Sequence, residues 1–167
     1  MSKNTITDVG LKLLSISLIK NRSIMYLNLS QNKIKEDGMA EMVELLKKNT
    51  MIKEMSFGGN QISNDGIAVL AQFLPHNDTV CHLDLSRNAF NDPGFDVFAQ
   101  QLAYNNGLTF LDIAKNKDIT DDGSLVALCH ALTENKMLKT IDLTGLPIRK
   151  PFLKQHFDQA LKRNITL

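Results

Sequence analysis

The sequence predicts an α/β solenoid of tandem strand–turn–helix units whose roughly five strands run parallel. Three observations predict it. An asparagine recurs every 28 residues, at Asn4, Asn32, Asn60, Asn88 and Asn116. Four of these share one spacing of apolar residues ahead of them, and behind them the apolar period lengthens to that of a helix. Tandem strand and helix units force parallel strands, because the chain must return through the helix before the next strand begins.

The strand cores come first. Ile24, Leu27 and Leu29 precede Asn32; Ile52, Met55 and Phe57 precede Asn60; Val80, Leu83 and Leu85 precede Asn88; Leu108, Leu111 and Ile113 precede Asn116. An apolar residue follows each turn (Ile6, Ile34, Ile62, Phe90, Ile119), and then a glycine (Gly10, Gly38, Gly66, Gly94, Gly123). In Met39-Met42-Leu46, Ile67-Leu70-Leu74 and Phe95-Phe98-Leu102 the apolar positions step by three and four, one face of an α-helix. Thr7, Ser63, Asn91 and Thr120 are expected to cap the helix starts, while Asp8, Asp37, Asp65, Asp92 and Asp122 favour the positive end of the helix dipole. The helices close on Asn21, Asn49, Asn77, Asn105 and Asn135.

The expected organisation is one domain over 1–167: a partial unit 1–22, units at about 23–50, 51–78, 79–106 and 107–136, and an irregular final unit 137–167. Leu138, Ile141 and Leu143 keep the last strand core, displaced by one residue inserted before Ile119 and another in the following helix. Leu146 stands where the next asparagine is due, followed by Pro147, Ile148 and Pro151. Pro151 suits a first helical turn, and Phe152, Leu153, Phe157 and Leu161 read as a helix face. Asn164 to Leu167 resembles the approach to another strand. Asn4 is already mid-unit, and neither end shows the polar cap that a solenoid normally carries. The expectation is an internal slice of a longer array, or edges covered by self-association or a neighbouring chain.

The Leu-x-Leu-x-x-Asn cores at Leu27 to Asn32 and Leu83 to Asn88, with their counterparts in the other units, resemble the leucine-rich repeat. A 28-residue period with a full helix is similar to its ribonuclease-inhibitor-like subfamily. That resemblance implies a right-handed horseshoe arc with the sheet on the concave side and the helices on the convex side. Asn32, Asn60, Asn88 and Asn116 are read as structural. An amide side chain after each strand can satisfy the backbone of a buried turn and of the turn in the next unit.

Nineteen basic against 18 acidic residues leave a net charge of +1, which argues against nucleic acid or a charged membrane surface as partner. The apolar run Leu11 to Ile19 is too short and too interrupted to insert in a membrane. Cys81 and Cys129 sit in apolar runs, the usual place of buried free thiols, so an intracellular, reducing, cytoplasmic location is expected.

Chemistry finds no assembly. Asp118 to Gly123 mimics the start of a calcium loop, but Cys129 stands where a bidentate Glu is required. His76, His82, His130 and His156 lack ligand-spaced partners. Cys81 adjoins His82, yet strand alternation sends them to opposite faces, with Cys81 inward. Gly58-Gly59 lacks the Lys and Ser or Thr of a phosphate loop. No catalytic residue, metal or cofactor is expected.

Alternation along the strands turns Tyr26 and Asn28, Glu54 and Ser56, His82 and Asp84, Phe110 and Asp112, and Thr140 and Asp142 away from the core. These ten are the candidate partner-binding residues. Asp84, Asp112 and Asp142 form a column of like charge suited to a protein or peptide of basic character, and Arg87 and Lys115, one position on from the outward-facing Ser86 and Ala114, neutralise part of its field. Tyr26 and Phe110 supply aromatic anchors. The leading expectation is a non-catalytic scaffold binding on the concave face. The alternatives are a regulator of a small GTPase, since the subfamily resembles Ran GTPase-activating proteins, and a structural tile in a cytoskeletal assembly.

Overall fold

A computed structural model describes residues 1–149 and 151–163, so the strand approach expected at Asn164 to Leu167 lies outside the described residues, as does the side chain of Leu161. The elements run in strict alternation: α1 (Asp8–Leu18), β1 (Tyr26–Asn28), α2 (Glu36–Leu46), β2 (Glu54–Ser56), α3 (Asn64–Phe73), β3 (His82–Asp84), α4 (Asp92–Leu102), β4 (Phe110–Asp112), α5 (Asp122–Glu134), β5 (Thr140–Asp142) and α6 (Pro151–Arg163). The five strands form one sheet in the order β1-β2-β3-β4-β5, every pair parallel. The fold class predicted from the period is therefore the one observed.

Register follows the repeat. Leu27 pairs with Met55, Met55 with Leu83, Leu83 with Leu111 and Leu111 with Ile141. Backbone bonding continues past each three-residue strand: Gln31, Gly59, Arg87 and Lys115 donate their amides to Gly58, Ser86, Ala114 and Thr144 at 2.8–2.9 Å. Helices pack side by side on the other layer. Packed helices lie roughly 8–10 Å apart and strands about 4.8 Å, so the sheet takes the inner wall of the arc.

Between the layers, Leu27, Leu29, Met55, Phe57, Leu83, Leu85, Leu111 and Ile113 meet Met39, Met42, Ile67, Leu70, Phe95, Phe98, Leu125 and Leu128, all buried. The irregularities are absorbed outside the strands. The residue added after Asn116 lies in the loop, and α5 runs to 13 residues where α2 and α4 have 11. At Leu74 the α-helical pattern gives way to one 3₁₀ turn, Leu74–His76, because Pro75 has no amide hydrogen to continue the ladder.

Several local expectations are corrected. Of the four proposed caps only Ser63 accepts from its own helix, at Gly66. Thr7 and Asn91 accept from no amide of theirs. The cap of α5 is Asp121, whereas Thr120 gives its amide and hydroxyl to Asp92. Cap-position amides bond instead to the preceding unit: Lys35 to Asp8, Asn91 to Asn64, and Thr120 and Asp121 to Asp92. On α6, Leu153 and Phe157 are buried, but Phe152 lies 46% exposed and packs edge-on against His156. Cys81 is only half-buried, its thiol 3.5 Å from the Lys53 carbonyl, while burial pushes the Cys129 thiol up to about 11.

Two rows of asparagine join the units. In the first, Asn60 donates to the Phe57 carbonyl of its own turn at 2.8 Å and to Leu29 of the preceding unit at 3.0 Å, while its carbonyl accepts from Ile34. Asn32, Asn88 and Asn116 do the same with Leu29, Leu85 and Ile113 on their own side. The tie therefore runs to the preceding unit, because the side chain leaves its own turn on the side facing back along the array. Asn4 differs, being exposed and bonded only to the carbonyls of Met1 and Ser2.

The second row stands at the opposite corner, where each helix gives way to the next strand. Asn105 donates to Leu74 and Asn77 of the preceding unit and accepts from Gly107 and Leu108. Asn49 and Asn135 repeat that pattern. An apolar replacement strands several buried backbone groups at once. Asn60→Ala and Asn105→Ala are each expected to lower unfolding stability by about 1–3 kcal/mol in urea titration, and an unchanged midpoint would refute this role.

Candidate functional site on the concave sheet face

Successive residues of a strand alternate between faces, so one residue in two projects from the sheet, and parallel register lines those residues up from strand to strand. The first row is Tyr26, Glu54, His82, Phe110 and Thr140; the second is Asn28, Ser56, Asp84, Asp112 and Asp142. All ten candidate residues thus share one face. They are not equally available to a partner.

Tyr26 stands 55% exposed at one edge, and its hydroxyl accepts from the Asn28 amide at 2.9 Å. Glu54 and Thr140 are exposed too. Phe110 is half-buried and lies against His82, ring centroids 4.0 Å apart and planes 12° from parallel. It is one half of an aromatic step, not a free-standing anchor.

Ser56 is buried, and its neighbours explain why. Its single hydroxyl hydrogen goes to Asp84 at 2.5 Å, so across the 2.6 Å contact with Ser30 the donor must be Ser30. Asp84 also accepts the amide and hydroxyl of Ser86 at 2.9 and 2.7 Å. Ser30, Ser56, Asp84 and Ser86 form a chain that occupies both oxygens of that carboxylate. A Cβ on Gly58 would sit 2.7 Å from Asp84 and 2.8 Å from Ser86, so only glycine lets the chain close.

Asp112 and Asp142 are freer. Each turns one oxygen back to an amide two residues on, Ala114 and Thr144, at 2.8 Å. The neighbours differ electrostatically. Burial pushes the Asp112 carboxyl above its ordinary range, reinforced by Asp84 and Asp142 on either side and opposed by the Ala114 amide and His82. Asp142 is held below its range by the hydroxyl and amide of Thr144 and by Lys115. The column is therefore a graded row, tied down at Asp84, strained at Asp112 and stabilised at Asp142.

Beyond the strands, Gln31, Gly59, Arg87, Lys115 and Gly145 all adopt positive φ, between 54° and 83°. Arg87, Lys115 and Lys117 surround an open hollow of about 680 Å³ that Asn88, Asp118 and Gly145 complete. Among the described residues the ion pairs are Lys12–Glu41 and Lys47–Glu44, so none of these three cations is in one. From sequence, Arg87 and Lys115 are expected only as counter-charges to the acidic column; their common place three residues after Asp84 and Asp112 is the signal that aligns them, and Lys117 carries no such signal because it lies in the inserted loop.

Among the described residues no group of three or more His, Cys, Asp or Glu side chains is placed to hold a metal, and no helix is long and apolar enough to cross a membrane. What the face offers is an extended, rigid, charge-patterned surface backed by a packed core.

This combination defines a repeat protein of the βα-solenoid class. The family model described as "Leucine Rich repeat" matches residues 20–43, 48–71, 76–99 and 104–129, and the chain belongs to that family. No curated protein sequence matches it. Among solved structures it is similar to one titled "Leiomodin-1 Actin-Binding Site 2 (ABS2)", with a TM-score of 0.81 at 20% identity, covering 93% of this chain and 88% of that one. It is similar also to a Caenorhabditis elegans tropomodulin C-terminal domain, with a TM-score of 0.75 at 12% identity and 92% of each chain covered. At these identities the likeness is one of fold.

The raised Asp112 carboxyl makes a prediction. A group whose folded pKa exceeds its unfolded one contributes stability that is present at low pH and lost as pH rises through the folded value. Asp112→Asn keeps the acceptor for Ala114 and removes the charge. It is expected to raise the neutral-pH melting midpoint, with the gain shrinking as pH falls through the carboxylate range; a lower midpoint at neutral pH would contradict the electrostatic account.

Proposed function

We propose that this protein is a non-catalytic protein-interaction module that holds a segment of basic character against its concave face. The observation that carries this reading is the in-register row Asp84, Asp112 and Asp142 beside the His82–Phe110 step. Like charges at strand spacing repel, and a cationic partner relieves that repulsion. A rigid sheet also presents such groups without an ordering cost at binding. Within its family, the 28-residue unit with helices of ten to thirteen residues supports the ribonuclease-inhibitor-like subfamily.

The decisive comparison is affinity capture from native extract with the parent chain and with Phe110→Ala/Asp112→Lys. The parent is expected to retain a partner that the double variant, folded by circular dichroism, loses at least tenfold. Equal recovery by both would place the contact elsewhere.

A second reading, a tile in a cytoskeletal assembly, is supported by the structural likeness to a chain titled as an actin-binding site. It is supported too by the flank of α1, where Val9, Leu13 and Ile16 lie 60–70% exposed at helical spacing, a surface suited to a neighbouring chain or a second copy. In sedimentation with purified actin, monomeric and filamentous, this reading expects the chain to bind one form in proportion to its concentration. Absence from both pellet and complex would remove it.

A further inference from the structure

The three cations at the strand ends, Arg87, Lys115 and Lys117, are exposed, lie outside the ion pairs of the described residues and border one hollow. Two of them occupy left-handed positions that the same row fills with glycine at Gly59 and Gly145, where no side chain is strained. Large cations held in that conformation call for an explanation in what they meet. They form a basic rail beside the acidic row: Arg87 and Lys115 lie three residues beyond Asp84 and Asp112, Gly145 takes that place after Asp142, and Lys117 joins from the loop after Asn116.

Between rail and row runs a floor of small side chains, Ser86, Ala114 and Thr144. The carboxylates of Asp112 and Asp142 lean over it, since each accepts from the floor residue's amide. Three residues of extended chain span about 10 Å, so the Cα atoms of the two charged rows stand no more than that apart, about the width of an α-helix with its side chains. Spacing along the rows decides between occupants. One turn of helix rises about 5.4 Å per step against about 4.8 Å between strands, whereas same-side residues of an extended segment are roughly 6.6 Å apart and fall out of phase after one strand.

We propose that the concave face takes an α-helix of a partner protein lying across the strands, with Lys or Arg on the flank facing Asp112 and Asp142, and Asp or Glu on the flank facing Arg87, Lys115 and Lys117. This rests on the reading of the face as partner-binding and adds the partner's shape and its second charge. The hollow beside Lys117 widens the trough on the basic side, where three cations outnumber the single carboxylate of Asp118 and the acidic flank descends.

The probe is a lactam-stapled alanine-based helix with lysines on one flank and glutamates on the other, measured by fluorescence anisotropy at low ionic strength against the full chain. It is expected to bind at least tenfold more tightly than a stapled peptide of identical composition with the charges scattered round the helix, and than a proline-interrupted version that cannot be helical. Arg87→Glu/Lys115→Glu/Lys117→Glu is expected to weaken the two-flank helix at least tenfold while a lysine-only helix binds as well or better. A reciprocal peptide with lysine on both flanks should then recover affinity for that variant. Asp112→Lys/Asp142→Lys is expected to abolish binding of both lysine-bearing helices.

Loss with the Asp variants but none with the rail variant would overturn the rail and leave the acidic-face reading standing. Loss with neither set would overturn both. Equal binding of the interrupted peptide would overturn the helical occupant.

Discussion

The inner units of this solenoid leave buried peptide groups at two corners that they cannot satisfy themselves, and the stack depends on asparagines supplying the missing partners across the unit boundary. Asn60 bridges Phe57, Leu29 and Ile34 at one corner; Asn105 bridges Leu74, Asn77, Gly107 and Leu108 at the other. A carboxylate would lack the donors and a hydroxyl the reach; only an amide presents both signs of hydrogen-bonding group from one rigid plane. Since each such bond is worth about 1 kcal/mol net but far more to leave unmade inside the protein, the asparagines enforce neighbour contact more than they strengthen a single unit.

That constraint explains what could be read from the sequence. Position in the 28-residue period specifies register, because a slip of one residue would turn Leu83 and Leu111 outward and bring Asp84 and Asp112 into the core. The element order, the parallel sheet and the residues sharing its open face follow from that alone. The helix-end asparagines were legible as punctuation only. Their work depends on carbonyls some 30 residues earlier, such as Leu18 for Asn49, which no local pattern displays.

Capping failed as a local rule for the same reason. Thr7 and Asn91 sit at helix starts with the expected chemistry, yet, while Glu36 of α2 takes the hydroxyl of Ser63, the first residues of α1 and α3 reach forward to the next unit's cap amide, Asp8 to Lys35 and Asn64 to Asn91. Asp92 does so for Thr120 and Asp121, and their amides hold its carboxyl below the ordinary range against the effect of its burial. Inter-unit bonding displaced intra-helix bonding. Likewise, the stack of Phe110 on His82 and the capture of Asp84 by serines require knowing which side chains become neighbours at 4.8 Å, and how far each bends.

The period that stacks the core also stacks charge. A residue type placed once per unit becomes a row, so the acidic positions at the strand ends appear as one line and Arg87 and Lys115 just beyond two of them begin a second, to which Lys117 is added from the inserted loop. Repulsion within each line is tolerated unevenly: Asp84 is satisfied internally, Asp142 is eased by Thr144 and Lys115, and Asp112 is left with the greatest unrelieved burden. Asp112 lies at the centre of the row, between two carboxylates and beside the aromatic step. Stacking by period therefore concentrates the unrelieved charge on the carboxylate flanked by two others, where repulsion from its neighbours adds to the cost of its burial.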